Sequence, residues 1–464
     1  MAELEFHGAA ETVTGSLHVL HTDDGAIYLD CGLFQGRRED SRRINQSFPT
    51  RPADVKCVLL SHAHIDHSGR LPRLYRDGFT GPSYATRATC SLLSVMLADS
   101  AHIQEEDARF WNEKRAEGPQ DFIQPLYTHE DVLKAMEHFL GVPYNQPLPV
   151  AGGVTATFLE AGHVLGSSSV LVELDGWRKT RLLYTGDLGR FDMPILRDPH
   201  TPLPEVDYLI TESTYANRRH NDEAEMADKL VAIIQETRAA GGKVVIPAFS
   251  LGRTQHLVYA LSQAIAAGKL EPLPIYVDSP LSVNITQVFR EHPECYDAEA
   301  RDFWHSQGGV FGRDMIRYIT RVDDSKALND MHEPMVIIAS SGMCEFGRIL
   351  HHLKNTVEDE KNTVVMVGFQ AQHTLGRRIV ERAEQIKIFG RMYELLARVE
   401  VLNGFSAHAD MDDFAKLLAP LAPRLKAAFV VHGEPHQVSA MRDTLVAAGC
   451  SAVHIPTKGD RFKL

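Results

Sequence analysis

The sequence predicts an α/β protein made of a layered sandwich and a second domain with a parallel sheet. Three observations predict it. Short apolar runs separated by turn residues fill the first 85 residues and recur at 154–185. From about 207, strand-like runs alternate with helix-like ones, the β-α-β-α rhythm of a parallel sheet with crossover helices. The 464 residues, 44% hydrophobic and 23% charged, leave room for two large domains or three smaller ones.

Element by element, Ser16–His21 and Ala26–Cys31 flank Asp23-Asp24-Gly25, which signals a hairpin. Val55–Ser61 is expected to be a buried strand, with a helix-like stretch after Ser68. Residues 86–140 read as mostly helical. Within them Asp99–Gly118, with Glu105, Glu106, Asp107 and Glu113, reads as a solvated helix face. Strands resume at Val154–Glu160, Ser169–Leu174 and Arg181–Thr185. Later strand-like runs (206–211, 243–248, 274–278, 335–340, 363–368) alternate with helix-like ones (253–267, 281–291, 346–354, 376–385). Strand runs at Leu395–Leu402 and Ala427–Val431, with two short helices, complete the chain. No repeat, low-complexity tract or Pro/Gly-rich linker separates the parts. The second domain therefore reads as an insertion, with the tail completing the first.

Composition excludes several classes. The net charge of −13 argues against a protein that coats nucleic acid or docks on anionic lipid. Six Cys without a C-x-x-C pair exclude a disulfide framework or cysteine zinc knuckle and fit a reducing compartment. The acidic start lacks a secretory signal, and no run of about 18 apolar residues is present to span a membrane. A cytoplasmic location is expected. The 23 His point instead to imidazole chemistry.

The strongest motif is Ser61-His62-Ala63-His64-Ile65-Asp66-His67, directly after a strand-like run. Side chains at i, i+2, i+4 and i+5 of a strand-to-helix turn can converge on one or two cations. Close-set imidazoles without a metal are costly to hold together near neutral pH. Three further candidates follow apolar runs and sit beside glycine: His163, Asp187 and His432. Each alone is an ordinary loop residue; their recurrence at strand ends makes them partners for 62–67.

This ordered set resembles the metallo-β-lactamase superfamily over essentially the whole chain. The resemblance implies an αββα sandwich with one metal on His62, His64 and His163 and another on Asp66, His67 and His432. Asp187 would bridge the two. Asp30, in Leu29-Asp30-Cys31-Gly32, matches the family's first motif, an acid that orients the ligand loop. Two zinc ions per chain are implied, with manganese as the alternative. Two such ions, about 3.5–4 Å apart, acidify a shared water and clamp attacking and leaving oxygens. Lactams, thioesters and phosphodiesters all remain open as substrates on this scaffold.

Thr211-Glu212-Ser213-Thr214-Tyr215, Phe405-Ser406-Ala407-His408-Ala409-Asp410 and Val431-His432-Gly433-Glu434 narrow the choice. They resemble the three extra motifs of the β-CASP nucleases, the branch containing the endonuclease subunit of the pre-mRNA cleavage and polyadenylation complex. The implied organisation is a metallo-β-lactamase domain over 1–206 and 396–464, interrupted by a β-CASP domain over 207–395. From residue type alone, Glu212 reads as a strand-end cap and His408 as a core histidine. By resemblance, Glu212 positions and charges His408, and His408 protonates the leaving 3′-oxygen, with Asp66 at the catalytic centre. His432 stands where DNA-repair members carry an aliphatic residue, which favours RNA.

Three glycine turns in the insertion resemble β-CASP phosphate-gripping segments: Ser250, Gly252 and Arg253; Ser341 and Gly342; Thr374, Gly376 and Arg377. Helix N-termini bind phosphate and arginines add bidentate contacts, although each turn by itself is a helix cap. Gly166-Ser167-Ser168-Ser169 reads as a tight turn near the metals.

The expected function is hydrolysis of single-stranded RNA in the cleft between the domains by a dinuclear-metal-activated hydroxide. The products would carry 5′-phosphate and 3′-hydroxyl ends. Endonuclease action is expected, with 5′-exonuclease action open. The chain resembles stand-alone bacterial members without KH-type domains, and a homodimer is compatible. The alternatives are a β-CASP DNA nuclease, a small-molecule thioester or lactam hydrolase, and a scaffold, which should have lost ligands. Walker A, H-E-x-x-H and G-x-S-x-G motifs are absent, and His292-Pro293-Glu294-Cys295 lacks the second half of a deaminase motif. Bound cations would reverse the local sign of an acidic chain, so RNA binding should be modest, local and metal-dependent.

Overall fold

The computed structural model describes residues 2–36, 38–114, 122–176, 179–307, 309, 311, 315–368, 370 and 373–464. It divides into two compact units. The first comprises Met1–Asp192, Arg197–Arg219 and His408–Leu464; the second comprises Met193–Leu196 and His220–Ala407.

Among the described residues, the first unit holds two seven-stranded sheets. One runs β1 (Glu3–Phe6), β2 (His18–Thr22), β3 (Gly25–Leu29), β4 (Val55–Leu59), β5 (Ser83–Thr86) and β6 (Phe139–Val142), with β22 (Arg461–Lys463) beside β1. Its β1–β3 half is antiparallel and its β3–β6 half parallel. The other runs β7 (Leu148–Ala151), β8 (Val154–Glu160), β9 (Ser168–Leu174), β10 (Thr180–Tyr184) and β11 (Tyr208–Thr211), then β20 (Ala427–Val430) and β21 (Val453–His454). Here β7–β10 are antiparallel, and β10, β11, β20 and β21 are parallel. The β2–β3 hairpin pairs Thr22 with Gly25, so its loop is Asp23-Asp24 and Gly25 already belongs to the strand.

Side-chain alternation along the strands builds two cores. Leu182, Ile210 and Phe429 face Leu4, Phe6, Ile27 and Leu59 between the sheets. Their neighbours Leu183, Leu209 and Val430 face the other way, onto Phe414, Leu417, Met441 and Leu445 of helices Met411–Leu418 and Pro435–Ala447. Full burial of side chains such as Phe158 and Phe429 contributes about 1.5–3 kcal/mol each. The helix Arg87–Lys114 packs on β5 and β6, which completes the αββα layering. Glu106, Asp107 and Glu113 are exposed on that helix, while the end of the expected solvated face, 115–118, lies outside the described residues.

The second unit holds a six-stranded parallel sheet ordered β14 (Ile316–Tyr318), β13 (Ile275–Asp278), β15 (Val336–Ala339), β12 (Val244–Pro247), β16 (Thr363–Met366) and β19 (Arg398–Val401). Helices Arg253–Ala266, Pro280–Glu291 and Ile349–Lys354 are among its crossovers. The expected helix over 376–385 ends at Val380, because Arg382 turns left-handed (φ 54°) and an antiparallel ribbon, β17 (Gln385–Ile388) and β18 (Arg391–Glu394), begins. The run at 206–211 becomes β11, which pairs with β10 and β20 of the first unit. The run after 395 becomes β19, which pairs with β16 of the second. Both junctions therefore fall later in the chain than 207 and 396. No helix among the described residues is long and apolar enough to cross a membrane.

Candidate metal centre

The loops after β3, β4, β8, β10, β11 and β20 bring Asp30, His62–His67, His163, Asp187, Glu212 and His432 together. After β4, residues 60–64 belong to no helix or strand, and the His62 and His64 rings come together with their centroids 4.9 Å apart. The chain then makes a single helical turn, Ile65–Ser68, which presents Asp66 and His67.

Hydrogen bonding behind the rings decides which nitrogens face inward. The Ser61 hydroxyl donates to Asp30 Oδ2 at 2.7 Å, so it accepts Nδ1–H of His62 at 3.0 Å. Asp30 Oδ2 also accepts Nδ1–H of His67 at 2.5 Å. The Thr214 hydroxyl donates to the His432 carbonyl and accepts Nδ1–H of His432 at 3.1 Å. Nε2 of all three rings is thereby turned to the centre. His62 Nε2 lies 3.1 Å from His64 Nδ1, which lies 3.3 Å from His163 Nε2; Asp187 Oδ2 is 3.5 and 3.6 Å from the two Nε2 atoms. On the other side His67 Nε2 lies 3.1 Å from His432 Nε2 and 3.3 Å from Asp187 Oδ1, and Asp66 Oδ2 is 3.4 Å from His432 Nε2.

These atoms form two groups, His62, His64, His163 and Asp187, and Asp66, His67 and His432, each within 4.8 Å. In neutral rings the inner nitrogens are lone pairs facing one another and carboxylate oxygens, which is repulsive unless positive charge sits among them. Electrostatics agrees. Burial opposes charging His67, yet Asp187 and Asp30 raise its pKa well above the ordinary range. Burial holds His62 well below its usual value and His64 at about 4, leaving them neutral as ligands must be. Burial pushes Asp66 up, but His67 and His432 outweigh it and hold it at about 2. Asp187 Oδ1 makes no well-aligned hydrogen bond. Five imidazoles and two carboxylates suit a divalent ion of the zinc type, and the residues fit one.

The backbone is bent to reach this arrangement. Asp30 and His432 are left-handed (φ 61° and 51°), each at a cost of roughly 1–2 kcal/mol. Gly186 is left-handed too, and a Cβ there would meet Ser61; a Cβ on Gly32 would overlap the Asp66 carbonyl. The Gly166 turn seats His163: Ser167 Oγ accepts the His163 N–H at 3.0 Å, and the Thr86 and Thr89 hydroxyls donate to the Gly166 carbonyl.

Glu212 and His408 meet beside this centre. Glu212 Oε1 accepts the Leu188 N–H at 2.7 Å and lies 3.2 Å from His408 Nδ1, while Oε2 accepts the Thr214 N–H. The His408 ring stands 4.4 Å from the His163 ring. Burial disfavours the imidazolium of His408, but the Glu212 carboxylate prevails and lifts its pKa to about 9. Asp410 of the same motif caps helix Met411–Leu418.

The three glycine turns lie in the second unit, gathered beyond the ends of its strands. Ser250 Oγ lies 3.3 Å from Ser279 Oγ, which accepts the Ser340 hydroxyl. Gln370 donates to the Gly342 carbonyl, and the Gly376 N–H to the Met343 carbonyl. Gly252 (φ 81°) leads helix Arg253–Ala266. The other two differ from expectation. Ser341-Gly342 does not open a helix: Cys344 and Gly347 turn left-handed and the helix starts only at Ile349. Thr374 caps a helix of six residues, and Arg377 is paired with Glu381 at 2.6 Å.

Sequence reasoning missed the orienting groups Ser61, Thr214 and Tyr184. Ser61 and Thr214 lie inside the quoted motifs and could have been suspected from their hydroxyls. Tyr184 carries no local signal.

Family models match the chain in three places: a Metallo-beta-lactamase superfamily domain over 19–187, a Beta-Casp domain over 254–379, and a Zn-dependent metallo-hydrolase RNA specificity domain over 392–456. Ribonuclease TTHA0252 of Thermus thermophilus is 36% identical over 442 residues, 95% of each chain. The chain belongs to the β-CASP family of the metallo-β-lactamase superfamily. Its family and its donor set make this β-CASP protein a metal-dependent hydrolase with a divalent metal cofactor. An RNase J-like protein of Methanocaldococcus jannaschii is 29% identical over 461 residues, 99% of each chain. Transcription termination factor FttA of the same organism is 29% identical over 478 residues, 99% of this chain and 71% of that one. A crystal structure of a protein of unknown function from Enterococcus faecalis aligns over 100% of both chains with a TM-score of 0.58 and 15% identity, which shows the shared fold alone. The αββα architecture and β-CASP domain expected from the motifs are those of the chain.

Proposed function

We propose that this β-CASP chain is a ribonuclease that hydrolyses phosphodiester bonds of single-stranded RNA, leaving 5′-phosphate and 3′-hydroxyl ends. The observation that carries the reading is the Glu212–His408 pair beside the seven-residue donor set. A lactam or thioester hydrolase has no need of that second, protonated histidine. The relatives named ribonuclease and RNase J-like, and the match to an RNA specificity domain, support RNA as the substrate.

In this reading His62, His64 and His163 would hold one zinc and Asp66, His67 and His432 the other, with Asp187 as a ligand they would share. Manganese is the alternative. Bound there, the ions would supply an acidified water and neutralise charge on the scissile phosphate. Asp30 and Thr214 keep His67 and His432 in the ligating tautomer. Glu212 takes Nδ1–H of His408, which leaves Nε2 to deliver a proton to the departing 3′-oxygen. Ser250, Gly252, Arg253, Ser341, Gly342, Thr374 and Gly376 bind phosphates along the strand, and Arg377 joins them only by leaving Glu381.

End-labelled RNA, DNA of matched sequence and a glutathione thioester test the proposal together. RNA should be cut and the others left essentially intact, and Asp66→Ala should abolish cutting. Turnover of DNA or thioester with RNA intact would overturn it, as would an Asp66→Ala protein that cuts RNA at the wild-type rate.

A further inference from the structure

We infer that the Tyr184 hydroxyl is a positioning group for the Asp66–His67–His432 half of the metal centre, acting through Asp30 and Ser16; the inference rests on the two-ion reading above. Tyr184 ends β10, is 2% exposed, and lies in the core between the two sheets of the first unit. Its ring packs edge-on against His18, 5.7 Å between centroids. A phenol there must find a partner for its O–H, and it finds two.

The hydroxyl donates to Asp30 Oδ2 at 2.5 Å. Burial and the Asp30 carboxylate raise its pKa, so it remains the donor. With its proton committed, Tyr184 Oη accepts the hydroxyl of Ser16 at 3.1 Å. Each partner is an anchor of the same ligand loop. Asp30 Oδ2, besides Tyr184, accepts Nδ1–H of His67 and the Ser61 hydroxyl, while Oδ1 accepts the Ser61 N–H at 2.7 Å. Ser16 donates its N–H to the Asp66 carbonyl at 2.7 Å, and its own carbonyl accepts the Gly32 N–H at 2.8 Å. One hydroxyl thus ties the acid that orients the His67 ring to the segment that holds the Asp66 backbone. His163, by contrast, is seated by Ser167 and the Gly166 turn, and His62 is reached only through Ser61. The two halves of the centre therefore depend on Tyr184 unequally.

A tyrosine that merely satisfied its own hydroxyl would affect stability and leave the two ion affinities in their usual ratio. Tyr184→Phe keeps the ring and removes Oη. Zinc titration of the metal-free full chain against a chromophoric chelator resolves the two binding steps. Loss of an outer partner of a ligand typically weakens binding roughly 10–100-fold. We expect that loss in one step only, with the other step close to wild type. Ser16→Ala, which removes one arm of the clasp, should weaken the same step by less, and it carries the test if Tyr184→Phe does not fold. Wild-type titration curves for the variants, or equal weakening of both steps, would overturn the inference. A wild-type chain that takes up fewer than two ions would overturn the two-ion reading and this inference with it; two ions in the wild type with unchanged variants would overturn this inference alone.

Discussion

Gly186→Ala probes how tightly the ligand loops are packed. Gly186 immediately precedes Asp187, has φ 56°, and a Cβ there would lie 2.5 Å from Ser61 Cβ and 2.8 Å from Ser61 Oγ. Ser61 cannot yield cheaply. Its hydroxyl joins Asp30 to His62, its N–H is held by Asp30, and its carbonyl accepts both the N–H and the hydroxyl of Ser168. Gly153 is the matched control: φ is 67°, but the nearest atom to its Cβ would be Asp175 Cβ at 3.7 Å, an ordinary contact. The left-handed backbone alone should cost an alanine about 1–2 kcal/mol at either site. Overlap with Ser61 should add about 1–3 kcal/mol at Gly186 only. Urea unfolding of the metal-free variants would measure the difference, and zinc content after reloading would show whether the displaced Ser61 has turned His62. Equal destabilisation of the two variants, with full zinc uptake by Gly186→Ala, would refute the packing argument.

Other residues give independent tests. His408→Ala should retain its bound metal while RNA cleavage falls by roughly 10²–10⁴-fold, checked by single-turnover rates and metal analysis on one sample. Glu160, its side chain 11% exposed at the end of β8, has its carboxyl pushed up to about 7 by desolvation, against the pull of Arg197 3.0 Å away. A carboxyl whose folded pKa exceeds its unfolded value of 4.5 holds more protons folded than unfolded between them, so stability should fall as pH rises from 4.5 to 7. The fall is about 3 kcal/mol, and Glu160→Gln should flatten that part of a urea-midpoint profile. Asp278→Asn in the second unit strips the counter-charge from Arg348 and a carboxylate oxygen from the His352 ring, each 2.6 Å away, and should cost about 3–5 kcal/mol in urea unfolding at neutral pH. Burial pushes the Asp278 carboxyl up, but His352, Ser325 and Arg348 hold it below its ordinary value. The wild-type advantage should therefore shrink as pH drops through that depressed pKa.

The legible part of the molecule was what neighbouring residues encode. His62, His64, Asp66 and His67 share one loop, and His163, Asp187 and His432 each follow an apolar run beside glycine, so type and spacing exposed them. Tyr184 could not be found that way, since it meets Asp30 across 154 positions and looks like any core aromatic. The helix expected over 376–385 stops short although Glu381, Arg382 and Glu384 are good helix formers, because the left-handed turn at Arg382 and the pairing of β17 with β18 override local propensity. Ser341-Gly342 resembled a helix start because nothing in Cys344 announces a left-handed residue. The junctions moved because an apolar strand does not record its sheet: β11 and β19 read alike, yet they pair in different units.

Cleavage of single-stranded RNA in water enriched in oxygen-18 tests the central claim most directly. Hydrolysis as proposed places the label on the 5′-phosphate of the downstream product and leaves an unlabelled 3′-hydroxyl on the upstream one. A 2′,3′-cyclic phosphate or 3′-phosphate on the upstream product, with a 5′-hydroxyl downstream, would contradict it.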